Sequence, residues 1–387
     1  MDMPTRVIPN PDVEPDAASG FLPGDCLFAS QGKVFHGRGC LLQHETRGDV
    51  GAQAAQLLTA AAATQAAPVL LGLLPYDPAR PAQLRVPQAW MRTQAPQDLP
   101  TAHLPAILHS HEHPTGIQYE QGVRDALKRL NDEAALRKLV LARTLRLELA
   151  QAADLPCLIG RLWQRNPHGY TYAMPLDADG AYFVGASPEL LVRRQGRRVY
   201  VHPLAGTAAR HPDAETDTRL GQALLDSPKD LREHAVVVEA IDAVLRPLCR
   251  TLDIPARPSL TSTARLWHLG TPIVGELADP ATTALDLAIA LHPTPAVCGL
   301  PTQDARRAIA DIEPFDRGYF AGAVGWCDTR GDGIWSVAIR CAQTIGHTVT
   351  LYAGAGIVPG SVPEQERIET GNKLRTILDA LGLESAP

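Results

Sequence analysis

The sequence predicts an α+β fold, and three observations carry that prediction. Short β-prone runs come in hairpin-spaced pairs, helical stretches are grouped between them rather than alternating with single strands, and no long Pro/Gly/Ser linker interrupts the chain beyond about residue 118. With 387 residues, 45% of them hydrophobic, the chain can bury a sizeable core. One domain is expected over residues 21–387, preceded by a flexible tail at 1–20. No repeat of solenoid period is visible.

Each element follows from its local pattern. Residues 21–105 mix short apolar runs such as "AAPVLLGLLPYD" with Pro, Gln and Ala, and are expected to form a less regular part of the domain. Their loosest stretch is "MRTQAPQDLPTAHLP". Residues 118–136 read as an amphipathic helix. Residues 137–149, "RKLVLARTLRLEL", alternate as a strand. Leu139, Leu141, Leu145, Leu147 and Leu149 share one face, broken by Arg143, while Lys138, Val140, Ala142 and Thr144 share the other. A lysine beside a row of small side chains is unusual there, and Val140, Ala142 and Thr144 would leave room for a cavity.

Helix is expected at 154–165, strands at 169–175 and 181–185, and a hairpin over 189–202 turning at Gln195–Gly196. Helices at 213–225 and 228–250 follow, then a strand near 260–269 and helices at 282–291 and 302–312. Strands at 320–327, 334–343 and 347–354 lead to a last helix at 363–381.

Composition disfavours several function classes. A net charge of −6 without a Lys/Arg run offers little grip on nucleic acid or anionic lipid. No apolar stretch of about 18 residues could span a bilayer. The start, "MDMPTRVIPNPDVEPDAASG", lacks the basic and apolar regions of a secretory signal. Seven cysteines without CxxC spacing fit a reducing cytoplasm better than a disulfide framework or zinc site. The glycines of "YAGAGIVPG" (352–360) have the spacing GxGxxxG, which is not the dinucleotide fingerprint. Close backbone approach to a ligand, with helix-start amides available for an anion, fits them better.

Two helices offer carboxylates. In "SVPEQERIETGNKL", Ser361 is the expected N-cap, and Glu366, Glu369 and Lys373 line one side at i, i+3, i+7, as a solvated charged face or as a site. In "SPKDLREHAVVVEAIDAVL", Ser227 is the expected N-cap, and Asp230 and Glu233 continue into the apolar stripe of Val237 and Ile241. A carboxylate at the edge of a buried face needs a partner. Two such helices, without His or Cys nearby in the pattern, suit a hard cation such as Mg²⁺.

Further candidates stand alone. Glu189 opens a hairpin, and Gly206 and Thr207 lie in a turn whose amides and hydroxyl could hold a carboxylate. His268 sits on an apolar strand, as a core histidine or a site residue. Arg340 sits on another, suited to bidentate capture of a carboxylate or to a structural ion pair.

Taken in order, "KLVLAR", "GASPELL", "PLAGTAAR", "KDLREH", "LWHLGTP", "LHPTPAVCGLPTQDA", "EPFDRGYFAGAVGW", "AIRCA" and "YAGAGIVPGSVPEQERIETGNKL" resemble the chorismate-utilising enzymes over about residues 118–382. Within that family the motifs are most similar to the isochorismate synthases of the enterobactin and bacillibactin pathways. The resemblance implies the single-domain, anthranilate synthase component I-like fold, a β-sandwich-like core flanked by helices, with Mg²⁺ at the active site. Anthranilate synthases have glutamine where this chain has Lys138, and aminodeoxychorismate synthases have the lysine of PIKGT where it has Ala205. Salicylate synthases keep the lysine but tend to read HPTVT where this chain reads "HPTPA", with Ala296 opposite their threonine.

The implied reaction adds water at C2 of chorismate and expels the C4 hydroxyl. By the resemblance Lys138 is the base, which requires a pKa well below that of a free lysine, and Glu189 the acid, which requires a raised one. Glu233 and Glu369 would hold Mg²⁺ at the ring carboxylate, with Asp230 and Glu366 assisting. Arg340 and Lys373, with backbone amides around Gly354, would hold the enolpyruvyl carboxylate, Gly206 and Thr207 would line the ring side, Ala296 and Ile339 would also bind substrate, and His268 would lie near the reacting hydroxyl. A cytoplasmic monomer acting in siderophore biosynthesis is expected, binding neither nucleic acid nor membrane. The alternatives are a salicylate synthase, a non-catalytic binding protein of the same family, or a subunit dependent on a glutaminase.

Overall fold

The computed structural model describes residues 20–94, 105–176 and 180–383. Residues 1–19 of the tail expected at 1–20, and most of the loose stretch, at 95–104, lie outside the described residues. Among those described, the strands form two large antiparallel sheets and a small third one.

The ten-stranded sheet runs Gly299–Leu300, Lys138–Leu149, Thr348–Ile357, Cys341–Ile345, Tyr182–Ser187, Tyr170–Pro175, Cys26–Ser30, Lys33–Arg38 and Ala89–Gln94. Ile107–His113 pairs with the far half of Lys138–Leu149. The nine-stranded sheet runs Cys249–Asp253, Ile273–Leu277, Arg198–His202, Leu190–Gln195, Gly333–Val337, Ala323–Asp328, Val69–Leu74, Ala82–Val86 and Leu42–Thr46. Leu204–Ala209, Leu266–Gly270 and Ser259–Ser262 make the third sheet.

Alternation along the strands feeds two cores. Phe183 joins Phe28, Tyr172, Leu70, Leu71 and Trp335 in a core drawn from both large sheets, as in a sandwich. Its neighbours Tyr182 and Val184 join a second core with Leu158 and Leu162 of helix Leu155–Arg165 and Leu374 and Ile377 of helix Pro363–Ala380. The leucine row of Lys138–Leu149 is shared between them: Leu139 and Leu141 belong to the first core, Leu147 and Leu149 to the second. Arg143, inside that row, is buried but paired, donating from Nε to Thr370 Oγ1 at 2.8 Å and from Nη1 to Glu112 Oε1 at 2.7 Å.

The site is positioned where the chain leaves one sheet for the other. Tyr182–Ser187 passes into Leu190–Gln195 through Pro188–Glu189, and Gly333–Val337 passes into Cys341–Ile345 through Ala338–Arg340. Arg340 adopts φ +52°, a left-handed backbone that is strained for a side chain of its size.

Several sequence expectations are corrected. The strand expected at 334–343 is broken at 338–340 because the chain changes sheet there. The helix expected to reach residue 250 ends at Leu245, before Pro247, and continues as a 3₁₀ turn and the strand Cys249–Asp253. The stretch 260–269 is a hairpin of two strands. Gly206 and Thr207 lie not in a turn but in a bulged strand, with Gly206 at φ +84°. Val362, not Ser361, occupies the N-cap position of the last helix; Ser361 Oγ instead accepts a hydrogen bond from Val358 N at 3.3 Å. Residues 26–94 are more regular than expected, supplying three strands to each large sheet.

Candidate active site

A narrow, partly enclosed cavity, with about 60 Å³ of free volume, lies at the two sheet crossings. Its wall includes Glu189, Gly206, Thr207, Glu233, His268, Ala296, Ile339, Arg340, Gly354, Glu369 and Lys373. Eleven of the fourteen residues singled out in the sequence thus converge on one space. Lys138, Asp230 and Glu366 stand behind the wall. Of the small residues beside Lys138 only Val140 lines the cavity: Thr144 donates to His113 O at 2.9 Å, and Ala142 packs in the core.

One side of the cavity carries carboxylates interleaved with lysines. Lys138 Nζ, wholly buried, lies 3.0 Å from Glu233 Oε1, an ion pair not aligned as a hydrogen bond. Lys373 Nζ lies 2.6 Å from Glu369 Oε1 and donates to Gly354 O at 2.8 Å. Lys229 Nζ donates to Glu366 Oε1 at 3.0 Å. Ser227 caps the helix that presents Asp230 and Glu233, accepting from Asp230 N at 3.3 Å.

Electrostatics separates these acids. Burial works against the charge of Glu233, but Lys138 beside it holds the carboxyl below its usual range. Glu366 is pushed up by burial and then by the charge of Glu369, and Asp230 is pushed up by burial. The all-oxygen donor set fits a hard divalent cation. Among the described residues, however, no three ligand groups lie close enough to hold an ion as they stand. Each of Glu233, Glu366 and Glu369 is instead engaged by a lysine.

Glu189 also lines the cavity. Burial raises its carboxyl to about 7, against the amide of Leu204, which donates to Oε1 at 3.4 Å, and against Lys138, Arg340 and Lys373. A carboxyl poised there can donate a proton near neutrality. The Arg340 guanidinium is buried without a hydrogen bond or close ion pair among the described residues. Burial lowers it to about 10. An unpaired buried guanidinium on a cavity wall favours an anionic ligand. His268 Nδ1 lies 3.1 Å from Thr207 Oγ1, and its buried Nε2 has no partner among the described residues. Burial, then the charges of Arg340 and Lys373, keeps the imidazole neutral.

Sequence reasoning missed Gly356. A Cβ there would overlap Glu233 Oε1 and come within 3.0 Å of Lys138 Cε, so the absent side chain is what lets Lys138 and Glu233 meet. The signal was the alternate glycines of "GAGI", read only as close approach to a ligand. Phe320, Ala321 and Tyr352, which complete the wall, read as ordinary core residues.

The chain is similar to known proteins in both sequence and fold. Residues 75–382 match the family described as chorismate binding enzyme. The chain is 43% identical to the isochorismate synthase DhbC of Bacillus subtilis, over 94% of this chain and 95% of that protein. It is also 43% identical to the vibriobactin-specific isochorismate synthase of Vibrio cholerae, over 82% of this chain and 80% of that one. Among solved structures it resembles that described as a 2,3-dihydroxybenzoate-specific isochorismate synthase, DhbC, of Bacillus anthracis. The TM-score is 0.90 and the identity 41%, covering 94% of this chain and 98% of the other.

Proposed function

The chain belongs to the chorismate-binding enzymes, and on that premise we propose that it is an isochorismate synthase acting in siderophore biosynthesis. It is an isomerase, moving the hydroxyl function of chorismate from C4 to C2. The observation that carries the reading is a carboxyl raised to about 7, Glu189, and an unpaired guanidinium, Arg340, on one cavity wall, with the buried Lys138 behind it, paired to the lining Glu233.

In this reading Arg340, with Lys373 and the backbone at Ile339 and Gly354, binds the enolpyruvyl carboxylate. Gly206, Thr207 and Ala296 flank the ring. Lys138, acting as the neutral amine rather than as the ammonium paired with Glu233, takes a proton from the water that attacks C2, and Glu189 gives its proton to the departing C4 hydroxyl, which is a poor leaving group without one. The neutral imidazole of His268, held through Thr207, orients the hydroxyl. Glu233 and Glu369 would hold a divalent metal, which we take to be Mg²⁺, with Asp230 and Glu366 close by; when bound it neutralises the ring carboxylate.

The N-terminal strands extend both large sheets, which supports residues 21–387 working as one unit. No helix among the described residues is long and apolar enough to cross a membrane, and all seven cysteines are free. The free cysteines support a reducing cytoplasm, and a monomer is proposed on the family resemblance alone. Relatives named for 2,3-dihydroxybenzoate and vibriobactin support a siderophore route and do not favour a salicylate synthase or a non-catalytic protein. Incubation with chorismate and Mg²⁺, followed by chromatographic separation of isochorismate, salicylate and anthranilate, tests the reading: isochorismate is expected, and either aromatic product contradicts it.

A further inference from the structure

The edge of the strand Lys138–Leu149 has a gap beside the cavity. Gly299–Leu300 pairs with it only at Leu139 and Lys138, and Val140 N donates to Cys298 O at 2.8 Å. Ile107–His113 pairs with it only as far as Thr144. Between them the Val140 carbonyl and the Ala142 amide have no strand partner on this edge, and buried backbone groups need one.

Two side chains from "EPFDRGYF" take the place of the missing strand. Ala142 N donates to Glu313 Oε1 at 2.7 Å, and Arg317 Nη2 donates to Val140 O at 2.6 Å. Arg317 Nη1 donates to Val297 O at 2.8 Å, tying the strand to the loop that carries Ala296 and Val297. The two side chains also bind each other, Nε to Oε2 at 2.8 Å and Nη2 to Oε1 at 2.5 Å. Both are almost fully buried, and the Tyr76 ring lies 4.4 Å from the guanidinium. Only a planar fork of five donors can reach a strand, a loop and a carboxylate at once.

The residues so fixed are functional ones. Val140 and Val297 line the cavity, and Lys138 lies two positions before Val140 on the same strand. We propose that Glu313 and Arg317 are positioning residues of the reaction: a side-chain ion pair standing in for a strand segment, holding two walls of the cavity and the strand of Lys138 in register. The inference rests on the isochorismate synthase reading. It assigns the pair no contact with substrate.

Steady-state kinetics of Arg317→Lys and Glu313→Gln, normalised to the folded fraction, test it. Arg317→Lys keeps the charge and loses the fork. A misplacement of about 1 Å can cost on the order of 100-fold, so kcat is expected to fall at least about tenfold. KM should stay within about threefold, since Arg340 and Lys373 are untouched. A lower melting temperature with kcat per folded enzyme unchanged would mark a purely structural pair and overturn the proposal. If Arg317→Lys does not fold, Glu313→Gln, which keeps an oxygen for the Ala142 amide, decides by the same criterion. An active parent with unaffected variants contradicts this inference alone, whereas a parent that makes no isochorismate contradicts the functional reading itself.

Discussion

Lys138 Nζ and Glu233 Oε1 lie 3.0 Å apart, and they meet across the bare backbone of Gly356. The contact joins the two halves of the proposed chemistry, because one partner is the proposed base and the other a proposed metal ligand. Removing one member of a buried pair leaves the other charge uncompensated, so neither is a neutral structural ornament. The pair also accounts for a lysine among small side chains on an otherwise apolar strand.

Lys138→Ala is expected to lower kcat by about 100-fold or more, the range general-base catalysis supplies. Chorismate binding in the presence of Mg²⁺ should persist, measured by titration calorimetry. Retained turnover would remove the base assignment.

Glu189 makes a prediction about pH. Its acid role needs the protonated form, so kcat/KM should fall as pH rises through about 7. Stability moves the same way. The folded carboxyl keeps its proton up to about 7, whereas the unfolded one loses it near 4.5, so this group costs stability as pH rises through that window. Glu189→Gln removes the cost. Above pH 7 it should unfold later than the parent, by on the order of a few kcal/mol, while losing turnover. Thermal melts at pH 8 and pH 5 check the sign: a variant less stable than the parent at pH 8 would contradict it.

The motifs of the candidate site were largely legible in the sequence, and the geometry that joins them was not. Lys138, Glu233 and Arg340 stood out because a charged residue on an apolar strand or at the edge of a buried helix face is a local anomaly. The break at Ala338–Arg340 left no such mark, since crossing between sheets is set by tertiary pairing rather than by any turn residue. Likewise Leu204–Ala209 reads as a turn because its glycine and small residues mask a bulged strand. The hairpin at Gln195–Gly196 was readable, since its turn needs a left-handed glycine, and Gly196 has φ +59°. Lys138 and Glu233 lie far apart in sequence, and nothing local ties either to Gly356.

Arg340 predicts a binding defect. Arg340→Lys keeps a charge but loses the fork, and charge-assisted hydrogen bonds are worth about 1.5–3 kcal/mol. KM for chorismate should rise on the order of 10- to 100-fold, with kcat less affected. An unchanged KM would show that the carboxylate is held elsewhere.

The carboxylates predict metal dependence. Prolonged treatment with EDTA should abolish turnover and Mg²⁺ should restore it. Glu233→Ala and Glu369→Ala should each weaken Mg²⁺ binding, read by calorimetry. Full activity after chelation would contradict the assignment of both residues.

Conversion of chorismate in heavy-oxygen water asks most directly whether this cavity adds solvent water at C2 and expels the C4 hydroxyl. Mass spectrometry of the purified isochorismate should find the heavy oxygen in the C2 hydroxyl of nearly every product molecule. Product that keeps the original oxygen would mean that the hydroxyl migrates without water, and would contradict the roles given to Lys138 and Glu189.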